Sequence, residues 1–234
     1  MVTHIVLGRI ANATKTLIGI GYMRYVSNTK YDSQNMFGLV LPTGEVSYKY
    51  QKVHPVVGVE TSVEPGTAPA PLVHVPNIGI VGAGICYDYD FPEYIRKSAG
   101  DDASLMLQPG WDWGAIGILH ARMDALRAIE NGFTLFRCSS GGISGVYDSY
   151  WGTRFETIIG TEKFSNPTFA YSTTIPKLAR QFTLFTYVGS MLGYSCTLVW
   201  GVLIASIAVK EYKSRQASLF IDDEQNFSLI ISTL

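Results

Sequence analysis

Short apolar runs broken by glycine-rich turns fill most of the first 150 positions, and their spacing predicts strands alternating with helices. Residues 17–22 (LIGIGY) read as a short apolar strand. Residues 36–41 (MFGLVL) read as a second, ended by the turn Pro42-Thr43-Gly44-Glu45, after which residues 46–50 complete a hairpin. Residues 60–76 are rich in proline and glycine and read as loop. They lead into a strand at 78–85, where Gly79, Gly82, Ala83 and Gly84 permit close packing. Between Ala115 and Glu130, the residues Leu119, Met123, Leu126 and Ile129 recur at helical spacing and are expected to form the buried face. Arg122, Arg127 and Glu130 lie off that face, and Asn131-Gly132 is the stop. Further strands are expected at 133–138 and around 143–147. The alternation makes residues 1–176 an α/β or α+β domain.

The pattern changes at residues 182–209 (FTLFTYVGSMLGYSCTLVWGVLIASIAV), which contain no Asp, Glu, Lys, Arg or His. At about 1.5 Å per residue a helix of this length exceeds the roughly 30 Å hydrocarbon core of a bilayer. Lys177 and Arg180 precede the run, Lys210, Lys213 and Arg215 follow it, and Tyr187, Tyr194 and Trp200 are amphipathic aromatics within it. A single transmembrane helix is therefore expected; the alternative, a core helix of a soluble protein, would normally carry charges on one face. Basic residues are denser on the C-terminal side, which puts the tail, residues 210–234, in the cytoplasm and the larger domain on the extracytoplasmic or lumenal side. Of two sequons, Asn12-Ala13-Thr14 is lumenal in this topology and Asn226-Phe227-Ser228 is not. The opening MVTHIVLGRI has no sustained apolar core and holds Arg9, so no signal peptide is read there. The tail carries Asp222-Asp223-Glu224 and no motif, and reads as flexible or weakly packed.

Composition narrows the function classes. Charged residues make up 16% of the 234 and hydrophobic ones 47%, which excludes disorder as the main state. The 18 basic and 19 acidic side chains give a net charge of -1, so no field exists to hold a nucleic-acid backbone. Cys86, Cys138 and Cys196 show no CxxC spacing, and His4, His54, His74 and His120 are scattered. Neither a disulfide scaffold, nor a metal site, nor a cofactor is expected.

Two segments supply chemistry. In residues 84–93 (GICYDYDFPE) an apolar strand ends at Cys86, and a helix is expected near Phe91 with Asp90 as N-cap, Pro92 in the first turn and Glu93 in a capping box. A helix N-terminus or a neighbouring ammonium lowers a thiol's pKa and frees the thiolate to attack. A cysteine in this position also fits a small buried hydrophobe. In residues 48–60 (YKYQKVHPVVGVE), Lys52 stands in an apolar-aromatic stretch, where burial needs a negative partner such as Glu60. Such a pair holds a fixed positive donor for a developing oxyanion. A surface hairpin with solvated Lys49 and Lys52 is the alternative.

Together these segments resemble the nitrilase, or carbon-nitrogen hydrolase, superfamily, whose catalytic set is Glu, Lys and Cys. The features follow in order: a glycine-bearing strand, a strand ending in a Pro-x-Gly-Glu turn, Tyr50-Gln51-Lys52-Val53-His54, the nucleophile strand over 82–88, Arg127-Ala128-Ile129-Glu130-Asn131-Gly132, and Gly142-Ile143-Ser144-Gly145. The resemblance runs from about residue 16 to residue 176. Within the superfamily the chain is most similar to the apolipoprotein N-acyltransferase branch, through the spacing of Lys52 to Glu60, the Cys-Tyr-acid followed by Phe91-Pro92-Glu93, and an apolar helix directly after the domain.

The resemblance implies an α+β fold, a four-layer α-β-β-α sandwich lacking its first strand and helix. It implies Cys86 as nucleophile, Lys52 as oxyanion donor, Glu60 as the carboxylate that positions the lysine, and Tyr87 and Asp88 as pocket residues. Trp111 and Trp113 would line the acyl or headgroup entrance. His54 matches a family position without a catalytic role, and His4, His74 and His120 read as structural or exposed. The family's general-base Glu is expected upstream of the glycine-bearing strand; the only acid of this chain before Glu45 is Asp32, which follows that strand, so the base is absent and an incomplete or degenerate copy is implied. The implied activity moves an acyl group from a membrane lipid or other acyl donor, through a Cys86 thioester, to an amine. Amidase-type hydrolysis, or a catalytically silent membrane-anchored binding protein, are the alternatives.

Overall fold

The glycine-bearing strand and the hairpin after it form a three-stranded antiparallel sheet, β1 (Ile18–Tyr25), β2 (Ser33–Val40) and β3 (Val46–Gln51). This computed structural model describes residues 2–27, 30–100, 102–112, 115–150, 152–158 and 181–232. The chain divides into two units, Met1–Gly189 and Ser190–Leu234.

In the first unit a second sheet runs in the order β4 (Val73–Val75), β5 (Gly79–Ala83), β6 (Leu105–Trp111), β7 (Thr134–Ser140), β8 (Ile143–Asp148) and β9 (Gly152–Ile158). Its centre, β5-β6-β7, is parallel, and its flanking pairs are antiparallel. The parallel connections are helical, as parallel pairing requires. A short 3-10 turn (Cys86–Asp90) and α2 (Pro92–Ala99) join β5 to β6, and α3 (Ile116–Asn131) joins β6 to β7.

The two sheets pack face to face. Phe37, Leu39 and Tyr50 from the first meet Ala83, Ile85 and Cys86 from the second in one apolar core. The approach is close enough that a Cβ on Gly19 would stand 2.9 Å from the Phe37 ring. On the far side of the second sheet, Tyr89, Ile95, Ala99 and Ala128 pack with Met106, Leu135 and Tyr147. On the outer side of the first sheet lies α1 (Val2–Thr14), whose Gly8 packs against the β2-β3 turn at Gly44, where a Cβ on Gly8 would stand 2.5 Å from the Gly44 carbonyl oxygen. Gly44 itself has φ 90°, a backbone that favours glycine. The fold is the α-β-β-α sandwich expected from the sequence.

Several local expectations are corrected. Helix α1 was not foreseen in the opening residues. The segment read as loop over 60–76 contains β4. The N-cap of α2 is Phe91 rather than Asp90, and Glu93 forms no capping box but pairs with Arg96 at 2.8 Å. The largest correction concerns α3, whose apolar stripe faces outward: Leu119 is 64% exposed and Leu126 49%. Its buried face carries His120, Ala121, Asp124, Arg127, Ala128 and Asn131 instead. Buried ion pairs, which hydrophobic periodicity does not register, hold that face down.

The apolar run over 182–209 is not one helix. Residues Leu184–Val188 form the short helix α4, and Gly189 (φ 55°) ends it. In the second unit a single helix, α5 (Met191–Ser232), includes an apolar stretch at Met191–Ala217 that is long enough to cross a bilayer and unburied throughout its most apolar window. Helix α5 continues to Ser232, so residues 210–232, read as a separate tail, belong to the same helix.

Candidate active site

Glycines at 82 and 84 let β5 run tightly against its neighbours and deliver Cys86 at the start of the 3-10 turn. Cys86 has φ 47°, a left-handed backbone rare for a residue with a side chain and strained enough to mark a functional position. Its carbonyl accepts a hydrogen bond from Gln108 Nε2 (3.4 Å), and its Sγ lies 3.9 Å from the Trp111 carbonyl oxygen.

Lys52 follows β3 and is 1% exposed. Its backbone N–H donates to the Asn35 carbonyl (2.8 Å) and its own carbonyl accepts from Gly66 N–H (2.7 Å), so the residue is pinned before its side chain is considered. The ammonium donates to Glu60 Oε2 at 2.5 Å. Glu60 is itself fixed, accepting from Val56 N–H (2.7 Å) and from Asn35 Nδ2 (3.2 Å).

Cys86, Lys52 and Glu60 line one cavity of about 740 Å³, together with Asp32, Asn35 and Trp111. That volume lies within the roughly 300–1,000 Å³ usual for small-molecule sites. Trp111, 66% exposed, stands on its rim. Asp32, which the sequence offered only as an acid in the wrong place, supplies a second carboxylate to the wall, held below the ordinary range by hydrogen bonds from Ser33 and Ser62. Trp113 lies outside the described residues.

Two expected pocket residues sit elsewhere. Asp88 is fully buried and does not line the cavity. It accepts from Tyr50 Oη (2.6 Å), Ile85 N–H (2.9 Å) and His54 N–H (2.9 Å), and so ties β3, the following loop and the Cys86 turn together. Tyr87 is likewise absent from the cavity wall and meets Phe91 edge-on at 5.3 Å. His54 stacks on Phe91 at 3.9 Å and its Nδ1 lies 3.0 Å from Asp88.

The thiol also differs from expectation. Burial pushes the Cys86 pKa up, and the Lys52 ammonium, which pulls it down, does not cancel that effect; Asp112 and Asp124 add to the rise. These two acids belong to a buried cluster that the sequence did not disclose. His120, read as structural or exposed, is 7% exposed and its Nδ1 lies 2.7 Å from Asp112 Oδ1. Burial alone would lower His120, but the hydrogen bond to Asp112 and the charge of Asp124 outweigh it and hold the imidazole above its usual value. Burial alone would raise Asp112, but hydrogen bonds from His120 and Ser139 and the Arg137 guanidinium hold it below. The spacing of His120 and Asp124, four apart on one helix, was the available signal.

Over 74 residues the chain is 39% identical to an apolipoprotein N-acyltransferase of Gloeobacter violaceus, a match covering 30% of this chain and 14% of that protein. Over 153 residues it is 30% identical to a chloroplastic omega-amidase of Arabidopsis thaliana, covering 62% of this chain and 40% of that one. Among solved structures, a mutant of the amidase from Nesterenkonia sp. AN1, showing covalent addition of the acetamide moiety of fluoroacetamide at its active site cysteine, superposes with a TM-score of 0.59 at 24% identity, over 68% of this chain and 63% of that one. The chain thus spans less than half the length of these curated relatives. The carbon-nitrogen hydrolase family pattern matches residues 5–184, well over half of the sequence. With the sandwich fold and these relatives beside that match, the chain belongs to the carbon-nitrogen hydrolase family.

Proposed function

We propose that this protein is a membrane-anchored N-acyltransferase that carries an acyl group on Cys86. The observation that supports it most is the meeting of a left-handed cysteine and a buried, carboxylate-held lysine on one cavity wall. Cys86 Sγ attacks the acyl carbonyl, and the S–C bond forms as the carbonyl π pair moves onto oxygen. The Lys52 ammonium, positioned by Glu60, faces that oxyanion. Collapse breaks the bond to the donor's leaving group, which takes up the proton that the thiol released. An amine then attacks the thioester, the amide bond forms, and the thiol is restored as sulfur regains a proton. Trp111 lines the entrance for the acyl chain or headgroup.

Helix α5 crosses the bilayer once through its apolar stretch, with the sandwich on the extracytoplasmic or lumenal side; the cluster of Lys210, Lys213 and Arg215 at the C-terminal end of that stretch supports this orientation. The amidase relatives favour a second reading, in which water rather than an amine resolves the same thioester.

Intact-mass spectrometry of the detergent-solubilised chain, incubated with an activated acyl ester, tests the thioester. One acyl adduct on the parent and none on Cys86→Ala is expected, and an undiminished adduct on Cys86→Ala would overturn the proposal. Adding a small primary amine then separates the two readings, since amide product favours transfer and free acid alone favours hydrolysis.

A further inference from the structure

Three buried atoms of the cluster beside Cys86 have no hydrogen-bond partner: Asp90 Oδ1, His120 Nε2 and Asp124 Oδ1. All three lie within 4.8 Å of one another. His120 Nε2 stands 3.5 Å from Asp90 Oδ1 and 3.4 Å from Asp124 Oδ1. The Asp124 side chain is 0% exposed and that of His120 8%, while Asp90, at 21%, leaves a path to solvent.

The remaining atoms of these side chains are mostly engaged. His120 Nδ1 lies 2.7 Å from Asp112 Oδ1. Asp124 Oδ2 accepts from Gln108 Nε2 at 2.7 Å and from Arg137 Nη1, and Asp112 Oδ2 accepts from Ser139 Oγ at 2.5 Å and from Arg137 Nη2. With Arg137 acting only as donor to both acids, Asp112 Oδ1 is the natural acceptor for Nδ1–H, a tautomer assigned by the network. Nε2 then turns its lone pair toward two carboxylate oxygens. Three electron-rich atoms in one buried space repel unless a positive charge lies between them.

Distance separates the two candidates for that charge. A proton on Nε2 would draw an oxygen to about 2.9 Å. Bonds of about 2.0–2.1 Å to a tetrahedral metal ion instead place ligand atoms roughly 3.3–3.4 Å apart, close to the separations seen. Charge agrees: Asp112 and Asp124 both pair with the single Arg137 guanidinium, and Asp90 brings a third carboxylate against His120.

We propose that Asp90, His120 and Asp124 form a binding site for a first-row divalent cation of the Zn²⁺ type, with Asp112 fixing the His120 ring from behind. An imidazole and two carboxylates suit such an ion, and a histidine ligand commonly donates its second nitrogen to a carboxylate. A bound dication places positive charge between these three facing atoms. The site adjoins Cys86, whose Sγ lies within 4.8 Å of ligand atoms of Asp112 and His120, but its test does not depend on Cys86 being a nucleophile.

Titration of Co²⁺ into the metal-stripped, detergent-solubilised full chain, read by visible absorption, tests the site. One equivalent with the intense band of a tetrahedral ion is expected. Asp90→Asn should bind at least tenfold more weakly, and Asp102→Asn, which removes an exposed acid elsewhere, should bind as the parent does. Equal binding by the parent and Asp90→Asn, or no bound ion in the parent, would overturn the proposal. Should Asp90→Asn fail to fold, X-ray absorption of the Zn²⁺-loaded parent decides: a nitrogen and oxygen shell with an imidazole signature supports the site, and a sulfur-dominated shell overturns it.

Discussion

The Lys52 ammonium lies 2.5 Å from Glu60 Oε2, yet the two side chains differ in exposure, at 1% for the lysine and 19% for the carboxylate. Removing one partner therefore does not mirror removing the other. Glu60→Ala strands a buried ammonium and is expected to cost about 3–5 kcal/mol. Lys52→Met leaves a carboxylate that reaches water and keeps the Val56 N–H bond, and should cost less than about 1.5 kcal/mol. Urea unfolding of the two variants checks the asymmetry; equal losses would contradict it.

Asp88 acts as a strut. Replacing it with Ala leaves Tyr50 Oη and the Ile85 and His54 amides without this acceptor, and a stability loss of at least about 3 kcal/mol is expected from hydrogen bonds to a charged group. Asp88→Asn, which keeps an acceptor oxygen, should lose less. Thermal denaturation ranks the pair.

Helix α3 gives a test of its unexpected orientation. Leu126→Gln, on the outward stripe, should change stability by no more than about 0.5 kcal/mol. Ala128→Leu, at a position with no exposure against the second sheet, should cost about 1–3 kcal/mol by overpacking. The reverse order would restore the face that hydrophobic spacing suggests.

The hairpin at Pro42–Glu45, the small-residue strand leading to Cys86 and the Asn131-Gly132 stop were legible because turn chemistry and backbone freedom act locally; Gly132 takes φ 74° at the end of α3. The α3 face was not, because Asp124, Arg137, Asp112 and Gln108 stabilise one another across β6, β7 and α3, and no single segment displays that pairing. Asp88 read as a pocket residue because it adjoins the cysteine in sequence, whereas the 3-10 turn rotates it away into contact with Tyr50. Helix α1 was missed because it has no acidic residue in its first turn and no basic one in its last, the two charge signals that mark helix ends.

The membrane reading of α5 has its own test. The parent chain, expressed in cells, should remain in the membrane pellet after alkaline carbonate washing. Leu203→Arg with Ile207→Arg, near the middle of the apolar stretch, should move it to the supernatant, since each arginine opposes insertion by about 2.5–3.5 kcal/mol. Release of the parent by carbonate would contradict the span.

The claim on which the proposed chemistry rests is that the Cys86 thiol feels the Lys52 ammonium across one cavity. Iodoacetamide alkylation of Cys86, followed by peptide mass spectrometry against pH, reads this directly and separates Cys86 from Cys138, which lines the same space. Because burial raises the thiol, the parent's rate should still be climbing at about pH 8.5, where an ordinary cysteine is half ionised. Losing the ammonium in Lys52→Met should displace the profile to higher pH. Superimposable profiles for the parent and Lys52→Met would contradict the shared site.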